Sequence, residues 1–359
     1  MLGYLPERQA IFSFAATEDG YWGSMSPSEQ GNKYKQCANY ANQQVCNWML
    51  SAEDPLDLCA SCRLTKVIPS LSKSENHLLW QRLEAAKRRL LYSLWSLNLR
   101  LPGNDDAGHD ESGMAFEFKE DDEAEGKVFT GHMNGLITIN IAEADPILRE
   151  TARVNMREHY RTLLGHFRHE SGHFYFDQLI AESKWIDGFR ELFGDERQDY
   201  GEALDNYYAN GPAANWEERF ISAYASSHPH EDWAETWEHY LHMTDALDTA
   251  QACGVSLTPN PALEEQTAID ELSLSNDTFD AIVANWFSLT YVLNSLSRSV
   301  GVPDSYPFKL STPVQQKLHF IHKLVKAQAT SKGAAPDLTP NIDAEHVARS
   351  TTPATRLVQ

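Results

Sequence analysis

Gly165-His166-Phe167-Arg168-His169-Glu170-Ser171-Gly172-His173 is the stretch on which the reading turns. It carries His-Glu-x-x-His inside a segment of helical character. A spacing of four puts His169 and His173 one above the other on one helical face, where two imidazoles can converge on a single ion. Glu170 is turned about a quarter revolution away, given ~3.6 residues per turn. It stays off the ion but within reach of a water activated there. Zinc lowers the pKa of such a water from above ~15 to about 7, so a neighbouring carboxylate can take its proton and the water can attack a polarised carbonyl carbon. The competing reading is two helical histidines hydrogen-bonded in a core.

A zinc that does chemistry needs a third protein ligand. The extension His-x-x-Gly-x-x-His fails, because Phe176 and Leu179 stand at its Gly and His positions. His166 shares the helix but lies about 10 Å along the axis from His173, too far for bonds of about 2 Å to one ion. It reads as a core or supporting histidine. The better source is Tyr224-Ala225-Ser226-Ser227-His228-Pro229-His230-Glu231-Asp232-Trp233-Ala234-Glu235. Pro229 can start a helix on which Glu231 and Glu235 share one face. One carboxylate can bind zinc while the other orients a ligand histidine through its second ring nitrogen. Glu231, in the first turn, is expected within about 2.0–2.2 Å of the ion. Glu235, one turn deeper between Trp233 and Trp237, is expected to brace the back of a histidine. Tyr224 could donate a hydrogen bond to a developing oxyanion, with His228 as the other candidate. Asp177 is either a supporting residue or simply exposed.

Further out, Cys37, Cys46, Cys59 and Cys62 supply four thiols in under thirty residues, and Cys59-x-x-Cys62 is a half-site for tetrahedral zinc. The odd fifth, Cys253, is expected to be a buried inert thiol. A deaminase reading of the Cys-x-x-Cys pair fails, since Leu58 replaces the proline before Cys59 and no His-x-Glu precedes it nearby. The chain has 51 acidic and 30 basic side chains, a net charge of −21, with no basic stripe. That field repels phosphate backbones and anionic lipid, which excludes nucleic acid and membrane surfaces as expected partners. No apolar run approaches the roughly 20 residues of a membrane span. Met1 to Ala10 holds Pro6, Glu7 and Arg8 and lacks an apolar export core, so a cytoplasmic location is expected.

Along the chain, Met1 to about Ser70 shows no long helical period, and the cysteines are its obvious staple. From Asn76, Leu79, Leu83, Ala86, Leu90 and Leu94 recur at helical spacing. Residues 104–126 are acidic and polar and predict a surface loop or mobile insertion. Strands are predicted at Val128–Thr130 and Leu136–Ile141, the second either an edge to which an extended peptide could add or plain sheet core. One long helix is predicted from Asp145 to Ile180, and others over 199–209, 216–225, 231–250, 278–297 and 313–327. The final residues, rich in Ala, Pro, Thr and Ser, are expected to be disordered.

Tyr160-Arg161-Thr162-Leu163-Leu164 with the His169–His173 motif, and Glu231-Asp232-Trp233-Ala234-Glu235-Thr236-Trp237, resemble a bacterial family named from its motif as zinc-binding metallopeptidases with an N-terminal zinc ribbon. Val128-Phe129-Thr130-Gly131-His132, Glu143-Ala144-Asp145 and Phe193-Gly194-Asp195-Glu196 match it too, and Cys37-Ala38-Asn39 and Cys46-Asn47-Trp48 match its ribbon. The resemblance runs from Leu2 to Val325 and implies a metallopeptidase without implying a substrate. Members carry further Cys-x-x-Cys pairs ahead of the Leu-Gly-Tyr-Leu-Pro stretch, which begins here at Leu2, so a first ribbon zinc site is expected to be absent and the second complete. Glu231 and Glu235, with Tyr224 seven residues before Glu231, also resemble zincins of the gluzincin kind. There the first glutamate is the third ligand, the second braces a ligand and the tyrosine assists the oxyanion.

The expectation is an α+β, mainly helical chain: a zinc-ribbon module over 1–72, a zincin-like metallopeptidase domain with a small sheet over 73–328, and a tail over 329–359. One catalytic zinc sits on His169, His173 and Glu231, with Glu170 as general base, and one structural zinc on the four cysteines. The expected partner is a peptide or protein substrate. The rival is a zinc-containing scaffold without turnover, against which Glu170 argues, since a structural site has no use for a base beside the metal.

Overall fold

Short strands open the chain: β1 (Leu2–Leu5), β2 (Ala10–Ala16), β3 (Trp22–Ser24), β4 (Lys33–Gln36) and β5 (Met49–Ser51). They form an antiparallel sheet in sequential order, with α1 (Ala38–Ala41) between the last two. The computed structural model describes residues 1–99, 113–122, 126–156, 158, 160–257 and 278–330. This sheet corrects the expectation of an irregular N-terminal segment: strands of three to seven residues are too brief for a period of two to stand out. Leu5, Phe14, Tyr34 and Met49 make its small core.

A second sheet combines β6 (Thr65–Val67), β7 (Ala115–Lys119), β8 (Gly131–Met133) and β9 (Leu136–Asn140) in the order β6-β7-β9-β8. The long helix α2 (Ser74–Ser96) links its first two strands. Strand β7 falls inside the stretch predicted as an acidic loop. Phe116 and Phe118 alternate with Glu117 and are fully buried, while Glu117 accepts a hydrogen bond from Thr138 and pairs with Lys119. Residues 104–112 and 123–125 of that predicted loop lie outside the described residues. The strand predicted at Val128–Thr130 is instead Gly131–Met133, because Asn134 and Gly135, both at positive φ, make the tight turn into β9. Leu136–Asn140 is therefore internal, and among the described residues β8 is the edge.

Seven further helices follow among the described residues: α3 (Pro146–Asn155), α4 (Leu163–Leu179), α5 (Ile186–Phe193), α6 (Tyr200–Asn210), α7 (Pro229–Ala252), α8 (Phe279–Ser299) and α9 (Thr312–Thr330). The single helix predicted over Asp145–Ile180 is two. Asp145 caps the first and Thr162, in extended backbone, caps the second by accepting from the Gly165 N–H. The helix predicted over Trp216–Ala225 is two 3-10 turns, with the Ser222 and Ser226 hydroxyls bonding nearby backbone. Helix α5 went unpredicted. The tail over 331–359 lies outside the described residues, and 329–330 end α9. Cys253 caps the C-terminus of α7 and is exposed, against the expected burial. No helix among the described residues is long and apolar enough to cross a membrane.

Helix α4 is enclosed on several sides. Phe167 packs on Phe116 and Phe118 of β7. Arg168 turns to α2 and α7, bonding Ser93, His242 and, at 2.5 Å, Asp245. Against α7 the spacing is set by Gly172, where a Cβ would stand 3.0 Å from the Ala234 Cα and 3.2 Å from the Trp237 ring. The indole N–H of Trp233 donates to the Gly172 carbonyl at 2.8 Å, and that of Trp237 to the Ser171 hydroxyl at 3.1 Å. A larger residue at 172 would part the two helices. The N-terminal sheet is tied on through Trp48, whose ring lies 5.2 Å from Tyr4 and 5.3 Å from Trp95 of α2.

Candidate metal centres

Because α4 and α7 approach so closely, the first turn of α7 reaches the His169–His173 face. Pro229 starts that helix and His228 caps it, which puts Glu231 where a helix N-terminus favours negative charge. The Nε2 atoms of His169 and His173 are 3.2 Å apart. Glu231 Oε2 lies 3.0 Å from His169 Nε2, and Oε1 lies 3.5 Å from His173 Nε2. Tetrahedral N and O ligands at about 2.0–2.1 Å from one ion stand roughly 3.3 Å from each other, so this spacing suits zinc.

The hydrogen bonds point the same way. His169 Nδ1–H donates to Glu235 Oε1 at 2.7 Å, which leaves the Nε2 lone pair facing Glu231. Ser222 in turn donates to the other Glu235 oxygen at 2.6 Å. Glu231 is 1 % exposed, and its Oε2 has no hydrogen-bond partner. Lone pairs converging in a buried place are costly unless a cation lies among them. Electrostatics carries the same strain. Burial opposes charging His169, yet Glu231 and Glu235 outweigh it and hold its pKa well above the usual value, while burial pulls His173 down to about 3. Burial pushes Glu170 up to about 7.

Glu170 lines the same cleft, of about 320 Å³, as the two histidines and Glu231. Its walls are the edge strand at Gly131 and His132 on one side and Tyr200 and Tyr224 on the other. The Tyr224 ring lies 6.1 Å from that of His169, and burial drives its pKa far up, so it keeps its proton. His228 is elsewhere: its Nδ1 accepts from the His230 N–H and its Nε2 faces the Gln198 carbonyl at 3.2 Å. His166 turns away to Glu143, with Nδ1 3.3 Å from its carboxylate. Asp177 is at the cleft mouth, its side chain 57 % exposed and 4.0 Å from His132 Nδ1. Sequence reasoning missed Tyr200, whose hydroxyl donates to Glu231 Oε1 at 2.7 Å, and Ser222 behind Glu235. Neither stands at a spacing that would mark it.

The four N-terminal cysteines also meet. Their Sγ atoms all lie within 4.8 Å of one another, with Cys46 and Cys59 at 3.7 Å. Zinc–sulfur bonds of about 2.3 Å set tetrahedral sulfurs roughly 3.8 Å apart, whereas a disulfide needs about 2.05 Å. Backbone N–H groups of Cys59, Trp48 and Cys62 point at the sulfurs of Cys37, Cys46 and Cys59 at 3.4–3.5 Å, which suits thiolates. Hydrogen bonding from Cys46 pulls the Cys37 thiol down while burial pushes Cys59 up, so the four cannot all ionise without a cation between them.

Residues 76–324 match the family described as "Putative zinc-binding metallo-peptidase". The chain belongs to this family. The same chain matches a zinc-ribbon domain over residues 1–73, so the two family matches follow one another along the sequence. Relatives include uncharacterized proteins of Mycobacterium bovis and Mycobacterium tuberculosis, each 44% identical over 306 residues, which cover 85% of this chain and 84% of theirs. No solved structure matches it.

Proposed function

We propose that this chain hydrolyses peptide bonds in a zincin-like domain over 73–328, with one zinc held by His169, His173 and Glu231 and a structural zinc held by Cys37, Cys46, Cys59 and Cys62 of a module over 1–72. The observation that carries the reading is the convergence of two imidazole nitrogens and an unpartnered, buried carboxylate oxygen beside Glu170 in one cleft. Zinc bound there would polarise the scissile carbonyl and acidify the attacking water. Glu170, which no side chain among the described residues hydrogen-bonds, takes the proton of that water and returns it to the departing amine. Glu235 holds His169 in the tautomer that turns Nε2 toward the ion. The Tyr224 hydroxyl, protonated throughout, donates to the carbonyl oxygen as negative charge grows on it. The side of β8 that no described strand pairs offers backbone groups to an extended substrate, which directs the scissile bond across the cleft.

Digestion of a mixed peptide library by the zinc-loaded chain, read by mass spectrometry, tests this. Cleavage that disappears in His169→Ala is expected. A chain that keeps its zinc and cleaves no peptide that His169→Ala leaves intact would be a zinc-containing scaffold instead.

A further inference from the structure

The metal-facing carboxylate is itself held from outside the two helices that meet at the cleft. Helix α6 buries none of its residues, yet Tyr200 in its first turn reaches into the cleft and donates to Glu231 Oε1 at 2.7 Å. The turn is pinned there: the Gln198 carbonyl meets His228 Nε2 at 3.2 Å, and the Tyr200 ring lies edge-on to that of His228 at 5.2 Å. A carboxylate can offer zinc one oxygen or both. Oε1 lies 3.5 Å from His173 Nε2 but takes the Tyr200 proton, so only Oε2, 3.0 Å from His169 Nε2, is left without a hydrogen-bond partner.

We propose that Tyr200 is a positioning residue for the metal centre: by occupying Oε1 it leaves Oε2 as the one Glu231 oxygen free to bond the ion, and a coordination position stays open for substrate. This rests on the reading of Glu231 as a zinc ligand. Removing only the hydroxyl frees Oε1 to swing onto the ion, closing that position, and loosens the carboxylate plane.

The test is Tyr200→Phe, measured by chelator competition for zinc and by the visible absorption of cobalt(II) exchanged into the histidine site with zinc retained on the cysteines. Zinc affinity should fall about 10–100-fold, as for other partners of metal ligands. The cobalt absorption should weaken several-fold as the ion goes from four ligands to five. Tyr208→Phe on the same helix, 64% exposed, should change neither. A Tyr200→Phe variant with the parent's affinity and spectrum would overturn the proposal, as would an equal loss in Tyr208→Phe, which would make α6 a mere cover. Glu231→Ala separates the two levels. If that variant keeps the metal, the ligand assignment itself fails. If it loses the metal while Tyr200→Phe is silent, only the role of Tyr200 fails.

Discussion

The Nδ1–H of His169 and the Oε1 of Glu235 are 2.7 Å apart, so one carboxylate sets the tautomer of a histidine whose other nitrogen faces Glu231. The two glutamates of α7, one turn apart, thus stand on opposite sides of one imidazole.

That arrangement predicts unequal losses. Glu231→Ala should release most of the zinc from the histidine site, whereas Glu235→Ala should weaken affinity by about 10–100-fold. Chelator competition on each variant measures this. Complete loss with Glu235→Ala and retention with Glu231→Ala would reverse the assignment.

The ribbon makes an independent prediction. Zinc per chain, measured by atomic absorption, should be two in the parent and one in Cys59→Ser, with the histidine site still filled. The N-terminal sheet has only four buried side chains in its own core, with Phe12, Trp22 and Tyr40 half-buried against them, so losing the ion should also lower its thermal stability. A parent holding one zinc, unchanged by Cys59→Ser, would remove the ribbon ion.

Gly172→Ala should cost about 1–3 kcal/mol in urea unfolding, because the added methyl meets the Ala234 backbone at 3.0 Å and cannot be relieved by a side-chain rotation. The same variant should bind zinc more weakly, since parting α4 from α7 draws Glu231 away from the histidines. Stability and affinity equal to the parent would mean that the helices do not need this contact.

These residues show what a sequence can carry. A spacing of four on one helix places His169 and His173 together without reference to the rest of the chain, and the Glu231–Glu235 pair obeys the same rule on α7. Four cysteines in a short segment announce themselves by chemistry alone. Tyr200 does not, because its partner lies 31 residues away on another helix and no periodicity connects them. The break between α3 and α4 was hidden by the continuing apolar pattern, although Thr162, the capping residue, was in plain view. Strand β7 was masked by its acidic surroundings, yet Phe116-Glu117-Phe118 held the alternation that marks it.

Acid should destabilise the fold through buried neutral histidines. Burial pulls His239, which packs on Tyr306, down to about 4, below the ~6.5 of an unfolded chain. The unfolded state then binds more protons between those values, so stability is lost as pH falls from about 6.5 to about 4 and is fully present above. At pH 5 this one group contributes a loss of about 2 kcal/mol. Urea midpoints at pH 7 and pH 5 should show a smaller difference in His239→Gln than in the parent. The same slope in both would assign the acid sensitivity elsewhere.

The central claim is tested most directly by peptide turnover as zinc is returned to chelator-treated protein. The parent should regain hydrolysis in proportion to occupancy of the histidine site. Glu170→Gln should take up zinc to the same extent and turn over about 10²–10⁴-fold more slowly. Equal hydrolysis by parent and Glu170→Gln, or turnover indifferent to added zinc, would contradict the account.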